Sequence, residues 1–179
     1  MLTLWDLIKP KRQRKRKPKA ASRGRGQSSV RKASTTKASI GSMQKKYERT
    51  VRECLATHHV RVRKWRTSMS GCAWEVVHHD GRVTRLIEAP KPKGPMSTAV
   101  FLHEIGHHAI GLGRYRPRCL EEYHAWAWSL GEMERRGLNV TDAVRRRMRE
   151  SLQYAVDKAR RRGLKHVPEE LTRALASKP

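Results

Sequence analysis

The spacing of hydrophobic residues changes twice along the chain, and each change predicts a different kind of element. Over residues 43–58 they recur every third or fourth position, which predicts an amphipathic helix. Over residues 60–89 they alternate with polar residues, which is typical of strands, and Asp80-Gly81 predicts a hairpin turn within this stretch. The prolines of "PKPKGP", residues 90–95, end the predicted sheet, because proline cannot donate to a strand ladder.

Helical spacing returns after these prolines. A first helix is predicted to begin at the capping residue Ser97 or Thr98, and a second spans residues 119–136. Thr141 is placed to cap a third, and Pro168 fits the first turn of a short final helix. The whole order predicts an α+β fold: a helix, a three-stranded antiparallel sheet, the helix after residue 97, and two to three further helices.

Charge divides the chain into two parts. Of the net charge of +25, residues 1–42 carry +12, with Asp6 as their only acidic residue. Repeated proline and glycine, self-repulsion and the lack of apolar periodicity predict a disordered polybasic tail over residues 1–42 and a folded domain over 43–179. Such a tail either keeps the protein soluble or binds a polyanion through phosphate contacts, and we expect residues 9–37 to bind DNA or RNA.

Two features bear on the compartment of the protein. The apolar residues of "MLTLWDLIK" form too short a run for a membrane span or a signal-peptide core, so no membrane association is expected. Cys54, Cys72 and Cys119 are an odd number at unrelated spacings, which predicts free thiols in a reducing compartment. We therefore expect a cytoplasmic protein, associated with the nucleoid if the tail binds DNA.

The stretch "STAVFLHEIGHHAIGLG", residues 97–113, places ionisable side chains in an otherwise apolar helix, where burial is costly unless they are paired. His103 and His107 are four residues apart and therefore lie on one helix face, with Glu104 beside them. This is the H-E-x-x-H pattern, which supplies two nitrogen ligands for Zn²⁺ and a carboxylate that can take a proton from water. The alternative, a pair of hydrogen-bonded core histidines, gives Glu104 no purpose on that surface.

A catalytic zinc site needs a third protein ligand and one position left open. The next helix, with "CLEEYHAWAW", offers Cys119, Glu121, Glu122 and His124. Helical geometry places Glu122 on one face with Ala125, whose small side chain allows close packing against the preceding helix. We therefore prefer Glu122 as the ligand and leave Glu121 or His124 to orient a ligand histidine, with Cys119 as the least favoured candidate.

Together, "HEIGHH" and "EEYHAW" resemble the motifs of the Glu-type zinc metallopeptidases, or gluzincins, in which an E-x-x-A helix supplies the third ligand. Within that group the chain is most similar to the small ImmA/IrrE-type proteases, over residues 43–136. The resemblance implies a minimal zincin-like fold, in which a helix and a three-stranded antiparallel sheet precede the H-E-x-x-H helix. It also implies that His103, His107 and Glu122 are the zinc ligands and that Glu104 is the general base.

Peptide hydrolysis also needs a donor for the charge that develops on the carbonyl oxygen. We name Tyr154 on the third predicted helix for this role, with Tyr123 and His166 as alternatives. The strand over residues 83–88 directly precedes the motif helix, and we expect an extended substrate to add to it as a further strand.

Three functions are compatible with these features. The first is a zinc-dependent endopeptidase that acts on a protein or peptide substrate and is tethered to nucleic acid by its tail. The second is a basic nucleic-acid-binding protein with a structural or inactive zinc site, and the third is a protease whose tail only maintains solubility. Glu104 favours an enzyme, because a structural site needs ligands but no base.

Overall fold

A computed structural model describes residues 33–176 of the chain. The chain divides between Met43 and Gln44 into two units, and the sheet and all helices after the first belong to the second unit. The elements in chain order are α1 (Ala33–Thr57), β1 (Val60–Arg66), β2 (Cys72–Val77), β3 (Val83–Pro90), α2 (Pro95–Ala109), α3 (Arg118–Arg135), α4 (Asp142–Arg161) and α5 (Glu169–Ala176). The predicted α+β class and the order of its elements are confirmed.

The predicted tail falls mostly on residues that the structure does not describe. Residues 1–32 lie outside the described range, and so does most of the stretch 9–37 for which nucleic-acid binding is predicted. The first helix begins at Ala33 rather than at Met43, so the last part of the predicted tail is helical. From Gln44 onward this helix buries Tyr47, Thr50 and Cys54.

The sheet has the strand order β1-β3-β2 and is mixed, so the prediction of an antiparallel sheet was wrong. Strands β2 and β3 form the predicted antiparallel hairpin, with Cys72 opposite Glu88 and Val77 opposite Val83. Strand β1 pairs with β3 in parallel instead. A short loop, residues 67–71, carries the chain past the end of β3, so β3 occupies the place next to β1 that sequence order alone would give to β2.

The central position of β3 also decides where a substrate strand can add. Because β3 is hydrogen-bonded to β1 along one side and to β2 along the other, it has no free edge. The expectation that an extended substrate adds to residues 83–88 was therefore wrong. The outer edges of this sheet belong to β1 and β2.

Helix α2 is the centre of the domain, packed between the sheet on one side and α3 on the other. Every residue from Ser97 to His108 is buried, which explains why the residues around the H-E-x-x-H pattern are apolar on all faces of the helix. Its N-cap is Gly94, not Ser97 or Thr98. Ser97 instead occupies the first turn, where its hydroxyl accepts hydrogen bonds from the amides of Lys93 and Gly94 at 2.9 and 3.1 Å.

Helix α3 covers α2 on the side away from the sheet, α4 packs mainly against α3, and α5 packs against α4 and α3. Ser129 of α3 donates to the carbonyl of Ala99 at 2.8 Å, which joins α3 to α2 through a fully buried hydrogen bond. Thr141 caps α4 as predicted, and its hydroxyl accepts from the amide of Val144. Pro168 directly precedes α5 and accepts a hydrogen bond from the amide of Thr172 within it.

Two further expectations bear on the described residues. None of the helices between residues 33 and 176 combines the length and the apolar character needed to cross a membrane. Cys54, Cys72 and Cys119 are all free thiols, as their spacing predicts.

Candidate metal centre

The H-E-x-x-H pattern lies on α2, where one helical turn separates its two histidines. His103 and His107 are 7% and 2% exposed, and their ring centroids are 4.7 Å apart. The rings meet edge to face, at 70° to each other. Both imidazoles therefore turn toward the same region of the surface that α2 shares with α3.

Helix α3 brings the carboxylate of Glu122 to these two rings. Its Oε2 atom is 3.3 Å from Nε2 of His103 and 3.7 Å from Nε2 of His107. One ligand atom from each of the three residues lies within 4.8 Å of the other two, so the group can hold a metal ion. Two imidazole nitrogens and one carboxylate oxygen are a donor set that suits a divalent transition metal.

This convergence depends on how closely α2 approaches α3. A Cβ atom added to Gly106 would lie 2.7 Å from the carbonyl oxygen of Ala125 and 3.3 Å from its Cα, which is closer than atoms normally pack. The glycine on α2 and the alanine on α3 thus allow a near backbone contact between the two helices. Because Gly106 directly precedes His107 and Ala125 lies three residues after Glu122, this contact fixes the distance between the ligands.

Glu121 holds His107 from the other side. Its Oε1 atom is 3.0 Å from Nδ1 of His107, and its Oε2 accepts from the amide of Gly113 at 2.9 Å. With Nδ1 occupied in this way, the Nε2 atom of His107 is the one left to face Glu122 and a metal. Glu121 is 1% exposed, and its contact with His107 fits the orienting role, which is one of the two roles left open for it by the sequence.

The other two candidates for the third ligand lie elsewhere. The ring of His124 stacks on Tyr115, with centroids 4.0 Å apart, and is not part of the group that can hold a metal. Cys119 is 2% exposed on the first turn of α3 and is likewise outside the group. Glu122 is thus the carboxylate that completes it. Arg118 approaches both acidic residues and lies 3.1 Å from a carboxylate oxygen of each.

Replacing Glu121 by glutamine is expected to weaken metal binding by about 10- to 100-fold without changing the three ligands. The amide can still contact His107, but it no longer supplies the negative charge that makes the imidazole a better ligand. Competition of the purified variant against a zinc chelator measures this change. His124→Gln, three residues along the same helix, is the matched control, and equal affinities for the two variants would contradict the role of Glu121.

The two histidines differ in their electrostatic surroundings. Burial lowers the pKa of His103 to about 4, and the hydrogen bond to Glu122 offsets only part of this effect. Burial also acts to lower the pKa of His107, but hydrogen bonds to Glu121 and Glu122 outweigh it and raise the value to about 9. Although burial opposes its ionisation, hydrogen bonds from both histidines keep the pKa of Glu122 well below its usual value.

Trp126 contributes a contact that the sequence did not reveal. Its ring stacks on His103 with centroids 4.4 Å apart and planes at 23°, and it is 2% exposed. The Nδ1 atom of His103 is buried with no hydrogen-bond partner among residues 33–176, so the stacking on Trp126 and the contact of Nε2 with Glu122 orient the ring.

Glu104 is 5% exposed, and its carboxylate lies within electrostatic reach of His107 and Glu122. Burial raises its pKa to about 7. Burying a carboxylate lowers stability unless its charge is paired, and a raised pKa at such a position is the pattern expected of a side chain retained for its chemistry. Glu104 thus lies beside the group that can hold a metal.

Gly71 is the residue that makes room for Glu104, and this role was not predicted from the sequence. A Cβ atom at Gly71 would lie 2.5 Å from Cγ and 2.7 Å from Cδ of Glu104, a collision that any larger residue would produce. The signal present in the sequence was a glycine just before a strand, which often indicates a close approach by another group.

A buried ion pair fixes the loop that carries Gly71. Arg66, at the end of β1, is 2.9 Å from the carboxylate of Glu88 on β3 and also reaches Ser70 at 3.3 Å. Glu88 forms a second ion pair with Arg63, whose Nη1 atom is 2.8 Å from Oε1 of Glu88. The sheet thereby holds residues 67–71 against the side of α2 where Glu104 lies.

Tyr154, named as the oxyanion donor, lies half-buried on α4 and is not among the residues that can hold a metal. Its role stays a prediction.

Comparison with protein-family models, with curated proteins and with solved structures finds no match to this chain.

Proposed function

We propose that the protein is a zinc-dependent endopeptidase. The observation that carries the proposal is the convergence of His103, His107 and Glu122 beside the buried carboxylate of Glu104. A structural metal site would need the three ligands but would have no use for Glu104. The combination of an incomplete ligand set and an adjacent buried carboxylate is what hydrolysis requires.

The spacing of the ligand atoms supports zinc as the metal. Two ligands about 2.1 Å from a zinc ion at the tetrahedral angle lie about 3.4 Å from each other. The separations between Glu122 Oε2 and the two histidine Nε2 atoms are 3.3 and 3.7 Å. Small movements of the side chains would therefore suffice for binding. Three protein ligands leave a fourth position for water or substrate.

Each residue of the site has a defined task in this proposal. A bound zinc ion would supply Lewis-acid chemistry, which polarises a carbonyl and makes water more acidic. Glu104 accepts a proton from the attacking water and delivers it to the nitrogen of the amide as the C–N bond breaks. Glu121 and Trp126 hold the rings of His107 and His103 in place, and Gly71 keeps the space that the Glu104 carboxylate occupies.

The proposal is tested by the metal content of the purified full-length chain, measured by mass spectrometry. The wild type is expected to hold about one zinc per chain, whereas His103→Ala and Glu122→Gln lose it, because each removes one of the three ligands. Glu104→Gln and His124→Ala are the matched controls and should keep their zinc. A wild type that takes up no zinc after reconstitution would overturn the proposal.

A further inference from the structure

An open groove lies beside the proposed active site and has no role in the site described so far. Its volume is about 360 Å³, which exceeds what a single side chain fills. It is formed between the loop after β1, the start of α2 and the first half of α4, and is lined by Met69, Met96, Ala143, Arg146, Arg147 and Glu150.

The groove connects to Glu104 through a short piece of backbone. Met69 on its rim is two residues from Gly71, and Gly71 packs directly against the carboxylate of Glu104. Two residues of chain span at most about 7 Å, so the rim lies within roughly 12 Å of that carboxylate. An extended peptide covers this distance in about three to four residues. The groove therefore lies within the length of a short peptide from Glu104.

The lining of the groove combines apolar and positively charged side chains. Met69 is 48% exposed, and with Met96 it offers an adaptable apolar surface. Arg146 is exposed on the opposite wall, while Arg147 donates to the carbonyl of Met69 at 3.0 Å and so joins α4 to the loop. The charges of Arg146 and Arg147 exceed that of Glu150, so the groove carries a net positive charge, which favours an acidic partner.

We infer that this groove binds the substrate peptide on one side of the bond to be cleaved and selects a segment that combines an apolar side chain with an acidic one. The inference rests on the proposed endopeptidase function and names the class of peptide it acts on. The methionines contact the apolar side chain, and Arg146 pairs with the carboxylate. Selection arises from both contacts together, because a chain with a net charge of +25 attracts acidic peptides everywhere on its surface.

The test compares the same charge reversal at two places on α4. Arg146→Glu alters the groove, and Arg160→Glu is the matched control, on the same helix about 21 Å away. Both variants are made in the zinc-loaded Glu104→Gln chain, so that binding is measured without turnover. The probes are two labelled peptide mixtures that are identical except for a fixed Leu-Glu or Leu-Lys pair.

We expect the starting chain to bind the Leu-Glu mixture more tightly, and Arg146→Glu to reduce this preference by about two- to fivefold, since one exposed ion pair is worth up to about fivefold. Arg160→Glu should leave most of the preference in place. Equal losses in the two variants would show that binding reports overall charge only and would overturn the inference. So would the absence of any preference in the starting chain.

A second readout separates this inference from the proposed function. Wild type and both arginine variants, with Glu104 intact, are incubated with a degenerate peptide library, and the residues around each cleaved bond are identified. If the wild type cleaves peptides and Arg146→Glu does not change the residues found around the cleaved bonds, the role of the groove is overturned and the endopeptidase function stands. If peptide binding depends on Arg146 but the wild type cleaves no peptide, the endopeptidase function is overturned and peptide binding by the groove stands.

Discussion

Replacing Glu104 by glutamine is expected to lower kcat for peptide hydrolysis by about a thousandfold, within the range that a positioned general base contributes. The amide has nearly the same shape as the carboxylate and fits the space beside Gly71, but it cannot accept the proton of the attacking water. Turnover of labelled casein by the zinc-loaded chain measures the loss, with zinc content determined on the same samples.

The same substitution is expected to leave the free energy of unfolding unchanged or to raise it. Glu104 is 5% exposed, and an ionised carboxylate in such a position is costly unless it is paired. Glutamine removes that charge, so a loss of activity accompanied by undiminished stability is the signature of a residue kept for chemistry. A variant that keeps more than about a tenth of the wild-type kcat would exclude Glu104 as the base, whatever its stability.

Gly106→Ala is expected to destabilise the domain by about 1–3 kcal/mol, although alanine is ordinarily the better residue in a helix. The added Cβ would lie 2.7 Å from the carbonyl oxygen of Ala125, and backbone on both sides leaves little freedom to relax. The helices must move apart, which changes the separation of His107 and Glu122. We therefore expect the zinc affinity to fall together with the stability.

Gly131→Ala is the matched control, because it is the same change on a glycine inside α3. At this position the added Cβ meets no atom within 4 Å, so the helix should gain about 0.5–1 kcal/mol. Urea unfolding in the presence of chelator measures packing apart from metal binding, and chelator competition then measures zinc affinity. Equal stability changes in the two variants would contradict the close approach at Gly106.

Much of the site could be predicted because its geometry is local. The four-residue spacing of His103 and His107 places both rings on one face of any helix that contains them. The Asp80-Gly81 turn and the Thr141 cap are equally local, because each depends on residues only a few positions apart. The structure confirms the hairpin and the cap, and the two histidines lie together as expected.

Which carboxylate joins the two histidines was decided by packing between helices. Glu121 and Glu122 are adjacent, and about 100° of helix rotation separates their directions, so the rotation of α3 against α2 determines which of them faces the histidine Nε2 atoms. The sequence offered Ala125 as an indication of the packed face. The structure adds Gly106 opposite it, and this contact directs Glu122 toward the ligands and Glu121 toward the far side of His107.

The sheet and the surroundings of Glu104 depended on tertiary structure alone. Periodicity identifies a strand but carries no information on which neighbour it pairs with, and the parallel pairing of β1 with β3 follows from a loop that passes the end of β3. The same loop sets Gly71 against Glu104 and Met69 at the rim of the groove. The sequence by itself thus determined the elements and the residues that share a helix face, because short-range geometry fixes both. Contacts between residues distant in the chain arise only when those elements pack together, and that packing selected Glu122, placed Gly71 and formed the groove.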